Sequence, residues 1–156
     1  MTATIEPAAK LAQARVSSEF RTKWRNQIMQ EHSLELVEAD QIISDTLSFL
    51  TVGIANRTEY RPSKKVDIGW HQFILNTQEY AAFCAREAGY FIHHAPDEFT
   101  APRRDEAAVR EALAPTVEAI TKAGLPFHPE LWQSGGDRCS QCHSGCTNCG
   151  QGDDPH

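Results

Sequence analysis

Apolar side chains recur along this chain at helical spacing, and alternation of the strand type is almost absent. Phe20, Trp24, Ile28 and Met29 share one face of a segment from Glu19 to Glu31, behind Ser17 and Ser18 as N-cap residues. From Leu34 to Ala55 the run LELVEADQIISDTLSFLTVGIA puts Leu36, Ile43, Leu47, Leu50 and Ile54 on one side. Its second half is so apolar that it predicts the central helix of a bundle. Asn56 to Lys65 reads as a loop, Val66 to Leu75 as a short helix, and Asn76 or Thr77 as the cap of the next helix, which ends near Gly89. Another helix is predicted from Asp105 to Gly124, kinked or split at Pro115. Pro129 is placed to open a final turn through Trp132.

The pattern changes after Gln133. The remaining chain holds four of the five cysteines and five of the nine glycines, with no large apolar side chain. The expected organisation is therefore a flexible N-terminus over 1–16, a helical domain over 17–132 and a Cys/Gly-rich tail over 133–156. The fold class is all-α: a compact bundle of about five to six helices, with the tail either disordered or ordered by metal.

Composition narrows the functions. A net charge of −6, with no basic block, argues against a nucleic-acid or membrane-surface role. No apolar run is long enough to span a bilayer, and the N-terminus lacks the apolar core of a secretory signal. The expected location is the cytoplasm, where thiols stay reduced. An odd number of cysteines, five, also suits metal binding better than a fully paired disulfide framework.

The tail thiols are spaced Cys139-x2-Cys142-x3-Cys146-x2-Cys149, with His143 inside the cluster. Two Cys-x2-Cys pairs provide the four thiolates of a tetrahedral zinc site, although the pairs here lie closer together than is usual. His143 is a candidate replacement for one thiolate. Iron, an iron–sulfur cluster and copper remain alternative occupants, CSQCH also matches a haem-attachment pattern, and a tail without fixed geometry is the bland reading.

A second candidate lies in the middle of the chain. Asp67 and His71 are four residues apart and so share a helical face, as do Tyr80 and Cys84, and His93-His94 follow just before Pro96. Convergence of Asp67, His71, Cys84, His93 and His94 would make a metal centre, the acid fixing an imidazole tautomer. The structural alternative makes Asp67 an N-cap, His71 a satisfied core residue and Cys84 a small buried hydrophobe. No catalytic residue and no organic-cofactor site is singled out. His32, His128 and His156 belong to no cluster.

The string RPSKKVDIGWHQFILNTQEYAAFCAREAGYFIHHAP resembles the glycine-rich domain-containing protein-like family, specifically its small bacterial members. The matching positions are Pro62, Ser63, Val66, Asp67, Trp70, His71, Tyr80, Phe83, Cys84, His93 and His94. The resemblance covers roughly residues 35 to 97. It implies an all-helical module and supplies no reaction. Three functions stay in view: a zinc-binding accessory or interaction protein using the tail, a metal-dependent enzyme centred on Asp67, His71, His93 and His94, and a structural interaction module with a protein partner.

Overall fold

The computed structural model describes residues 11–95 and 106–133. It is all-helical: five α-helices and one short 3-10 turn, with no strand among the described residues. The helices are α1 (Ser18–His32), α2 (Leu36–Asn56), α3 (Lys64–Leu75), α4 (Thr77–Glu87) and α5 (Glu106–Ala123), followed by the turn Pro129–Trp132.

The helix boundaries have local causes. Ser17 caps α1 by accepting from the Phe20 amide, and Ser63 caps α3 by accepting from the Val66 amide. Asp67, a candidate cap, instead lies inside the first turn of α3. Gly89, just past α4, has a φ of 80°, the left-handed conformation that glycine adopts without strain. Helix α5 runs through Pro115 as one element. The missing proline N–H removes one bond to the Glu111 carbonyl. Buried Leu113, Thr116 and Ile120 hold the stretches on either side of Pro115 against the core.

Helix α2 is the spine, packing against α1, α3 and α5. Every side chain from Asp45 to Val52 is buried. Leu36, expected on its buried face, is 48% exposed, whereas Ala39, later in the same turn, is fully buried. The aromatic core is Phe20, Trp24, Phe73, Tyr80 and Phe83, with Trp24 and Phe73 ring centroids 4.5 Å apart.

Helices α2 and α3 cross closely at Gly69, where a Cβ would collide with Thr46 Oγ1 and Ile42 Cγ2. The Gly69 carbonyl accepts from Trp24 Nε1 at 3.0 Å. That one residue thus joins three helices.

The buried polar side chains of α2 fasten non-helical chain to the spine. Thr51 Oγ1 accepts from the Ala14 amide at 3.0 Å. Ser48 Oγ donates to the Pro126 carbonyl at 2.7 Å and accepts from Gln13 Nε2 at 2.9 Å. The Leu11 amide donates to the Ala123 carbonyl, and Ala14 is buried. The packed module therefore begins by residue 11, ahead of the helical boundary expected at 17.

Candidate functional site

The residues of the central motif meet around the segment 88–95 that follows α4. Asp67 Oδ1, on α3, lies 2.7 Å from His94 Nε2. The His94 ring also stands edge-on to Trp70, with centroids 4.5 Å apart. Trp70 Nε1 donates to Tyr80 Oη at 3.1 Å, and Tyr80 Oη donates to the Ile92 carbonyl at 2.6 Å. Burial pushes the Tyr80 hydroxyl well above its ordinary pKa, with Cys84 adding to the rise and the Trp70 bond opposing it. That hydroxyl stays protonated and keeps its bond to Ile92.

Two fastenings therefore hold the segment to the bundle: Tyr80 at Ile92 and Asp67 at His94. Asp67 pairs with His94 rather than with His71, its neighbour one turn away. His71 is exposed, with its ring 6.4 Å from that of His94. His93 is exposed and packs its ring against Phe91 at 4.9 Å. Cys84 is buried and unpaired. Among the described residues, no three His, Cys, Asp or Glu side chains come close enough to hold one metal ion. Cys139, Cys142, His143, Cys146 and Cys149 lie outside the described residues.

The fastened segment presents Tyr90 (52% exposed) and Phe91 (46% exposed). With Ala81, Cys84, Ala85 and Gly89 they line a shallow depression of about 180 Å³. Trp24 and Trp132 are buried, so the exposed aromatic surface near the motif comes from Tyr90 and Phe91.

A third constellation escaped the sequence reading. Asp45 sits in the middle of α2 and is fully buried. Its carboxylate accepts from His128 Nδ1 at 2.6 Å, the His128 amide at 2.9 Å and Trp132 Nε1 at 2.9 Å. Burial raises the Asp45 pKa, and the bonds from His128 and Trp132 partly offset the rise. Three donors on one carboxylate are what make a buried acid tolerable.

Two sequence signals point to this constellation. Asp45 lies on the same helical face as Ile42, Phe49 and Val52, where an acid needs a partner. His128 and Trp132 are four apart across a Pro-initiated turn. Nothing in spacing alone links positions 83 residues apart.

No helix among the described residues is long and apolar enough to cross a membrane. No curated protein and no solved structure matches the chain. A family described as UCP032817-like matches residues 9–123, which include all five α-helices and the motif around Asp67 and stop short of the cysteine cluster. With more than half of its length matched, the chain belongs to the UCP032817-like family.

Proposed function

We propose that this is a metal-binding accessory protein: the tail thiolates of Cys139, Cys142, Cys146 and Cys149 hold zinc, and the helical module provides the surface for a protein partner. The observation that carries the reading is four cysteines within positions 139–149, in two Cys-x2-Cys pairs. The fifth, Cys84, is buried in the helical core, where a thiol packs as a small hydrophobe. A reducing compartment, the cytoplasm, suits such a cluster. Cuprous copper is the soft-ligand alternative occupant.

The motif from Pro62 to His94 supports a likeness to the glycine-rich domain-containing protein-like family. The geometry around it suits a rigid presenting surface, since Tyr80 and Asp67 fasten the segment that carries Tyr90 and Phe91. Partner docking at these two aromatics follows from that reading.

Elemental analysis of reduced protein at neutral pH tests the tail. One zinc per chain is expected, with loss of that zinc in the double variant C139S/C142S. Thiolate ligation requires deprotonation, so affinity falls as pH drops. Protein that takes up no zinc or copper under these conditions overturns the reading. Metal retained by a chain lacking residues 134–156 moves the site to the histidines beside Asp67.

A further inference from the structure

Arg25 lies on α1 one turn beyond Arg21 and on the same side of the helix. Arg21 has its partners on α2: Nε donates to Asp40 Oδ1 at 3.1 Å and Nη2 to Ser44 Oγ at 2.9 Å. Arg25 has no such partner among the described residues. Its Nε is shielded from solvent without an acceptor, the only buried side-chain nitrogen or oxygen so left among the described residues. A guanidinium keeps its charge and can only donate, so a partly buried one with no carboxylate needs an explanation.

The surface beside it is apolar. Only Ser33, Leu34 and Glu35 link α1 to α2, so the two helices run antiparallel. One turn from the Arg21–Asp40 pair towards that link, Arg25 comes level with Leu36 and Val37, which are 48% and 64% exposed.

We propose that Arg25, Leu36 and Val37 form a docking surface for a protein segment that brings one carboxylate flanked by aliphatic side chains. The carboxylate pairs with the Arg25 fork, turning Nε outward into a two-point contact, and its aliphatic neighbours cover Leu36 and Val37. Glu31 and Glu35, exposed at the same end of the hairpin, repel a polyanion. The fit is therefore to a single acid in apolar surroundings, not to a nucleic acid or an acidic tract. The surface uses no residue of the tail and neither Tyr90 nor Phe91, so it stands apart from both.

A packing role for the Arg25 stem alone is the competing account. R25M separates the two, because it keeps an aliphatic stem and removes the unpaired buried N–H. The variant should lose no stability in urea denaturation, yet it should lose the partner.

The probe comes from a random-peptide phage library panned against the reduced, full-length protein, with binding of a fluorescein-labelled selected peptide read by anisotropy. The selected peptides should carry one Asp or Glu between aliphatic residues. R25M should weaken binding at least about 10-fold, and V37S should weaken it as well. Changing the peptide's acid to its amide should cost as much on the wild-type protein and nothing further on R25M. The first of these readings needs no variant protein, so the contact is tested even where R25M folds poorly. Recovery of no peptide, peptides without an acid, or binding unchanged by R25M or by the amide overturns the proposal. A wild-type dimer that R25M dissociates also overturns it, since a second copy of the chain is then the occupant.

Discussion

The Tyr80 hydroxyl donates a 2.6 Å bond to the carbonyl of Ile92, tying α4 to the chain that leaves it. The same oxygen accepts from Trp70 Nε1 on α3. One phenol therefore joins two helices and the segment bearing Tyr90 and Phe91. In Y80F both the indole N–H and the Ile92 carbonyl lose their partner. The expected loss of stability is about 1–3 kcal/mol, measured by urea denaturation. Amide exchange over 90–95 should accelerate, and unchanged exchange there would show that the Asp67–His94 pair holds the segment alone.

G69A tests the crossing of α2 and α3. An added methyl meets Thr46 Oγ1 and Ile42 Cγ2, which lie in a helix with no room to withdraw. Overpacking of this kind costs about 1–3 kcal/mol, opposing the modest gain of removing a helical glycine. A thermal melt that shows G69A as stable as wild type would mean that the helices separate freely at this point.

D45N tests the buried acid through pH. The folded protein binds the Asp45 proton more tightly than the unfolded chain, whose carboxyl has the ordinary value of 3.8. Its contribution to stability is therefore fully present below 3.8 and is lost as pH rises through the higher folded value. The stability of wild type relative to D45N should decline from acid towards neutral pH in denaturation curves. A difference that grows with pH instead would show the His128 imidazolium outweighing the effect of burial.

S63A removes the side-chain cap of α3, leaving the Val66 amide without its acceptor at a buried helix start. A loss of about 1 kcal/mol is expected, and S63D should recover much of it. Chemical denaturation of the three proteins provides the comparison.

The helices were legible because their faces and caps are local: Phe20, Trp24 and Ile28 lie on one stripe, and Ser17 and Ser63 stand where caps belong. Pro115 predicts a kink or break, yet α5 continues through it, because packing of Leu113, Thr116 and Ile120 outweighs one missing hydrogen bond. The motif around Asp67 was recognisable as a group of residues, but its pairing was not. Helical spacing suggested His71 as the neighbour of Asp67, whereas tertiary folding delivers His94. Asp45 and His128 are harder still: an acid on an apolar face signals the need for a partner, but nothing local identifies one 83 residues away.

The carboxylate of Asp45 also sets an order of assembly. Until residues 126–132 arrive, the middle of α2 carries an acid that can be sealed in the core only at the cost of an unpaired charge. The last described turn of the chain is thus the piece that closes the core, and a nascent chain emerging residue by residue completes its interior only once Trp132 has cleared the ribosome.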